Sequence, residues 1–153
     1  MANGKTYGIA FPFNISNEGK YLRLTQTSND EIRTDLIHLL LTRKGSRYFL
    51  PDFGTRLYEF IFEPMDSPTF NNIESDIRES CEKYLPQLKI TNISIKAASS
   101  EEETIVVTTT GNAIDRQFTM PGLNTAEYTA KVRIDYTVTD DVFGSKDFVI
   151  LNI

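Results

Sequence analysis

"CEKYLPQLKITNISIKA", Cys81 to Ala97, changes its periodicity halfway along. Before Pro86 the apolar residues Phe70, Ile73, Ile77, Cys81 and Tyr84 fall at helical spacing, which predicts an amphipathic helix. Ser67 reads as its N-cap with Pro68 at the first helical position, and Pro86 ends it because the residue before a proline is pushed out of the α region. After Pro86 the pattern is that of a strand. Leu88 and Ile90 share one parity, whereas Ile93, Ile95 and Ala97 share the other. One extra residue near Asn92, a β-bulge, reconciles them.

Downstream the strand period persists. "TIVVTTT" (Thr104–Thr110) reads as a strand, and residues 111–125 read as a long loop. Tyr128, Ala130, Val132, Ile134, Tyr136 and Val138 then alternate with Thr129, Lys131, Arg133, Asp135 and Thr137, the pattern of a strand with one face in a core. A turn at 140–146 leads into "DFVILNI", in which Phe148, Ile150 and Asn152 point one way and Val149, Leu151 and Ile153 the other. Apolar groups on both faces of a terminal strand, with no charge or proline after Asp147, are what an edge awaiting a second chain looks like. A central strand buried on both faces has the same pattern.

Upstream the period is helical. Ile32, Leu36, Leu39 and Leu40 make a stripe widened by Ile37 and Leu41, with Ser28 and Glu31 spaced as a capping box. Arg43 and Lys44 suit the negative end of the helix dipole, and Gly45 reads as the left-handed exit. After the Pro51–Gly54 turn, a helix of about two turns runs to Pro64. "YGIAFPF" (Tyr7–Phe13) reads as an extended arm, followed by a polar turn and a short extended segment at Tyr21–Thr25. Helices first and strands last make an α+β chain: N-terminal helices packed on a C-terminal antiparallel sheet, with a terminal β-hairpin available for strand addition. The organisation is a single domain, 1–153, with an arm and turn at 1–27, a helical part at 28–85 and a β part at 88–153.

Composition excludes several chemistries. The 153 residues suffice for a core without staples, and a net charge of −5 argues against nucleic acid as a partner. One Cys and one His, Cys81 and His38, leave neither a disulfide framework nor a His/Cys zinc site within one chain. The N-terminus lacks the features of a signal peptide and no apolar run approaches membrane-spanning length, so the chain is expected to be made in a cytoplasm, with no membrane partner. "GKT" at Gly4–Thr6 lacks the upstream glycine and strand of a phosphate-binding loop. "RKGSR" reads either as an anion nest or as a basic helix end. Asp52, Glu59, Glu63 and Asp66 are the local carboxylates from which a glycosidase pair could be drawn, although such clusters are usually solvated surface. No catalytic, cofactor-binding or metal-binding residue emerges.

One stretch resolves this silence. "LLTRKGSRYFLPDFGTRLYEFIFEP" (Leu40–Pro64), preceded by "FPF" at Phe11–Phe13, resembles the small baseplate wedge protein of contractile phage tails. This is the sheath-initiator family, once labelled a baseplate lysozyme, with a counterpart in type VI secretion baseplates. The resemblance covers about residues 8–97. It is carried by Thr42, Gly45, Arg47, Pro51, Asp52, Phe53, Gly54, Leu57 and Phe62 in that order.

The resemblance implies a structural protein of the virion tail baseplate, assembled in the host cytoplasm. It implies as partners the wedge core-bundle proteins and the tail-sheath protein, with tube or hub proteins as further candidates. Arg43, Lys44, Gly45, Arg47, Pro51, Asp52, Phe53 and Gly54 would form rigid scaffold turns. The family's Glu-Pro-Arg after the third helix corresponds here to Leu85, Pro86 and Gln87, so the proline stays and both charges are gone. Leu85, Pro86, Gln87 and Leu88 are therefore expected to dock on a wedge helix, leaving Leu85→Asp folded in isolation. Phe148, Val149, Ile150, Leu151 and Ile153 are expected to join sheath strands. A peptidoglycan glycosidase and a free-standing adaptor are the alternatives; the absence of Trp, a common sugar-stacking residue, counts against the first.

Overall fold

Each apolar stripe finds a partner surface. In the computed structural model, residues 6–11, 13, 15, 21–60, 62–63, 66–97, 117–119, 130–139 and 146–152 are described. Two short strands, β1 (Gly8–Ile9) and β2 (Leu24–Thr25), pair antiparallel and precede helix α1 (Ser28–Leu41). A single helical turn, α2 (Leu57–Phe60), and the long α3 (Ser67–Tyr84) follow. Strands β3 (Leu88–Ala97), β4 (Gln117–Thr119), β5 (Ala130–Val138) and β6 (Lys146–Asn152) form one sheet in the order β3-β5-β6-β4.

The three long strands are antiparallel, as their alternation predicts, and β4 adds to β6 in parallel. In β5 every second residue from Ala130 to Val138 is buried. The ladder between β3 and β5 shifts register between Ile90 and Asn92. That bulge is what the parity change required: Leu88 and Ile90 face Val138 and Tyr136, and Ile93 and Ile95 face Ile134 and Val132. Ile32, Leu36, Leu39 and Leu40 of α1 and Ile73, Ile77 and Cys81 of α3 close over the same face.

Both helix starts differ from the sequence reading by one residue. Thr27, not Ser28, caps α1, its side chain accepting from the Asp30 N–H. Glu31 is thereby released from a capping box and accepts from the Thr25 hydroxyl, whose oxygen in turn takes the Gly8 N–H. The arm is pinned to the helix in this way. Asp66, not Ser67, caps α3 by accepting from the Thr69 N–H, and Pro68 stays in the first turn.

A buried polar cluster ties α1 to the last strand. Arg33, only 6% exposed, donates to Asp147, which also accepts from the Tyr136 hydroxyl at 3.3 Å. Burial alone would lower the Arg33 pKa, but the hydrogen bond and charge of Asp147 reverse the sign and raise it. Burial, reinforced by Asp147, raises the Tyr136 phenol, so it stays a donor.

Other sequence expectations end differently or lie outside the described residues. Gly45 is left-handed (φ 86°), but α1 has already ended at the extended cap Thr42. The stretch read as a loop at 111–125 contains β4. The strand expected at 104–110 lies outside the described residues, as do Ile153 and nearly all of the turns at 14–20 and 140–146. Strand β6 is not an edge at its end: Ile150, Leu151 and Asn152 pair with β5 on one side and with β4 on the other. Val149, Ile150 and Leu151 are each 1% exposed, so the buried reading of "DFVILNI" is the one adopted for that part.

Candidate functional site

The turns between α1 and α3 are closed by a dense set of backbone hydrogen bonds. Arg43 and Thr55 form a parallel bridge, with Lys44 N–H donating to Thr55 O (3.0 Å) and Thr55 N–H to Thr42 O (2.9 Å). The Gly45 N–H donates to Pro51 O at 2.7 Å, the Ser46 N–H to Arg43 O, and the Phe53 N–H to Leu50 O. The Lys44, Gly45 and Ser46 amides at the centre of "RKGSR" are thus spent on the chain's own carbonyls, which counts against the anion-nest reading.

Side chains finish the closure. The Thr55 hydroxyl donates to Leu40 O and the Ser80 hydroxyl to Gly54 O, both buried. Asp76, 8% exposed on α3, accepts from the Arg56 N–H at 2.8 Å and lies 3.9 Å from the Lys44 ammonium, so one buried carboxylate holds both ends of the segment. The Arg47 guanidinium sits 4.1 Å over the Phe53 ring, and that ring meets Tyr84 edge-on at 5.0 Å. Asp52 pairs with Lys83 at 3.6 Å, an exposed contact. All eight predicted scaffold residues belong to this one unit, docked on the C-terminal end of α3.

Gly54 explains the tight turn. Its φ is +115°, and a Cβ there would lie 2.2 Å from the Thr42 carbonyl oxygen. Gly54→Ala is therefore expected to cost about 3 kcal/mol, from backbone strain plus a clash with main chain. Gly45, at φ +86° with nothing within 4 Å of its would-be Cβ, should cost about 1 kcal/mol. Urea unfolding midpoints of the two variants check the contrast.

Catalytic chemistry finds little support in the same region. Asp52 is paired with Lys83, Glu59 with Arg56 at 2.9 Å, and Asp66 caps α3. Glu63 lies beside Arg56, Phe60, Asn72, Ser75, Asp76 and Glu79 in a polar, open depression. Cys81 is buried, and burial beside Asp76 pushes its thiol up to about 12, which fits a small core residue. His38 packs edge-on against Phe11 at 5.0 Å. Among the described residues no group of three or more His, Cys, Asp or Glu is arranged to hold a metal ion, and no helix is long and apolar enough to cross a membrane.

The predicted wedge-docking residues divide in two. Leu85 (7% exposed) and Leu88 (6%) are inside the core, while Pro86 and Gln87 are exposed. The segment is itself a tight link: Leu88 N–H donates to Leu85 O and Thr139 N–H to Gln87 O. Its two leucines point inward because they continue the α3 and β3 stripes across the turn. Of this segment only Pro86 and Gln87 are open to the surface. A feature the periodicity did not single out is the loop tip: Tyr48 and Phe49 are 93% and 94% exposed, and Leu50 is half-exposed. The sequence held the cue, three large apolar residues inside a turn with no helical or strand spacing to bury them.

Solved structures share the fold. A Geobacter sulfurreducens protein described as a tail lysozyme superposes with a TM-score of 0.59 at 15% identity, covering 86% of this chain and 94% of the other. A chain of the anti-feeding prophage baseplate superposes with a TM-score of 0.60 at 19% identity, covering 89% and 87%. At those identities the likeness is one of fold. In sequence, the baseplate wedge protein gp25 of Enterobacteria phage T4 is 37% identical over 57 residues, which span 37% of this chain and 43% of that relative. The match therefore covers less than half of the relative's length. The model of the family "Baseplate wedge protein gp25" matches residues 26–117, from the start of α1 through all the scaffold turns and β3, and the chain belongs to that family.

Proposed function

We propose that this protein is a structural component of the baseplate wedge of a contractile tail machine, located in the virion tail baseplate, where it contacts wedge core-bundle proteins and starts the sheath. The carrying observation is the coincidence of the family match with the self-satisfied unit at 42–55. Apart from the exposed tip at 48–50, the turn residues there are engaged in making a rigid corner, and rigidity serves docking by lowering the ordering cost of association. Pro86 and Gln87, exposed beside that corner, are the proposed core-bundle contact. The β5–β6 hairpin is the proposed sheath contact, reached along Lys146–Val149, the part of β6 that β4 does not cover.

The glycosidase alternative draws on the name of one structural relative. Against it stands the engagement of three of the four candidate carboxylates in ion pairs or a helix cap. Purified chain is expected to leave labelled peptidoglycan intact over hours at pH 5 to 8. Cleavage lost in Glu63→Gln or Asp52→Asn variants that remain folded overturns the structural reading. Sheath initiation has its own test. Adding the chain, assembled with its wedge, to sheath subunits should shorten the lag of sheath polymerisation, and an unchanged lag removes the sheath role while leaving the wedge role standing.

A further inference from the structure

Tyr48 and Phe49 form a knob: two adjacent rings, almost fully exposed, in edge-to-face contact at 5.3 Å and 81°. Among the described residues, both rings stand outside the chain's own packing. The base beneath them is fixed by the Gly45–Pro51 and Phe53–Leu50 hydrogen bonds and by the Arg43–Thr55 bridge. Exposed aromatic clusters on rigid supports are characteristic of the anchors that dominate protein interfaces. Charge then says what surrounds the receiving surface. Residues 43–50 hold three cations, Arg43, Lys44 and Arg47, and no carboxylate, in a chain whose net charge is −5. Arg43 and Arg47 are exposed, and Arg47 is held in place by the Phe53 ring.

We infer that the 47–50 tip is a docking knob that inserts Tyr48 and Phe49 into an apolar groove rimmed by carboxylates on another wedge protein. The inference rests on the wedge reading above. A groove is favoured over a sugar or a nucleobase because rings at 81° offer no common face on which such planes stack. A different protein is favoured over a symmetric knob-to-knob contact with a second copy of this chain, because that contact would set the three cations of 43–50 against their own copies.

The test compares the isolated chain with assembled particles. Hydroxyl-radical oxidation of Tyr48 and Phe49 is expected to fall about tenfold on assembly. Tyr48→Ser/Phe49→Ser is expected to keep the wild-type urea midpoint, because both rings are solvated, and to enter particles about tenfold less well. Arg47→Lys, treated with a zero-length carbodiimide in the particle, should cross-link to a carboxylate of a different wedge protein. If wild type itself is absent from particles, the wedge reading falls and takes the inference with it. If wild type is present but the double variant enters equally and the rings stay oxidisable, the inference alone falls. It falls also if the cross-link joins two copies of this chain. Tyr48- and Phe49-dependent binding of the isolated chain to phosphatidylglycerol vesicles would assign the knob to a lipid surface and overturn it as well.

Discussion

Leu85→Asp is expected to leave no folded protein. Leu85 ends α3 with its N–H on the Cys81 carbonyl and its side chain 7% exposed in the core cluster. Removing that side chain from the core costs about 2–5 kcal/mol, and a carboxylate in its place adds several more unless it takes up a proton. The sum reaches the total stability of a domain this size, about 5–15 kcal/mol. Circular dichroism and a thermal scan of the isolated chain give the answer. A soluble Leu85→Asp with native ellipticity and an unchanged midpoint would show that Leu85 is on the surface after all. Pro86→Ala and Gln87→Ala, by contrast, should move stability by less than about 0.5 kcal/mol. A wedge-assembly defect in those variants, unlike one in Leu85→Asp, reports on docking alone.

The difference between those residues shows where sequence reading stops. Periodicity found α1, α3, β3 and β5, because each presents one face to a core and side-chain spacing records which face. It even required the bulge between Ile90 and Asn92, since no straight strand puts Leu88 and Ile95 on one side. Leu85 and Leu88 end the α3 and β3 stripes, but at Pro86 and Gln87 between them neither period applies. The turn's direction is set by the Leu88-to-Leu85 and Thr139-to-Gln87 hydrogen bonds, the second of which comes from a residue fifty-two positions away. Family likeness pointed to the segment as a docking candidate, but could not say which of its side chains face in.

Caps failed for a smaller reason. Thr27 and Ser28 are both good caps, as are Asp66 and Ser67, and adjacent candidates are separated only by where the preceding chain enters. For α1 that entry is set by the Gly8–Thr25–Glu31 relay, which depends on the arm. The scaffold turns were legible as residues and not as a mechanism. "PDFG" and "RKGSR" announce turns, yet only the fold reveals that one closes on the other through Arg43 and Thr55 and that Asp76 of α3 holds both.

Deleting 148–153 is expected to unfold the chain as well, and for that reason cannot by itself report on the sheath. Val149 and Leu151 belong to the core cluster and Ile150 is buried on the opposite face. Losing three such side chains removes about 6 kcal/mol of apolar burial, before the β5 ladder is considered. Strand β5, whose Ala130, Val132, Ile134, Tyr136 and Val138 are buried, would lose its partner from Lys131 to Asp135. Asp147 would survive the cut, but the strand that carries it to Arg33 would not be held. A variant that interrupts β4 separates the two roles of β6. Phe118→Pro removes a backbone donor from a strand only three residues long, and should cost about 1 kcal/mol and leave a folded domain. The expected pair of outcomes is a cooperative unfolding transition for Phe118→Pro and none for the truncation. A truncated chain that still melts cooperatively would mean that β6 adds to a core already complete without it. The terminal strand would then be the free docking edge that its two-sided apolar pattern first suggested.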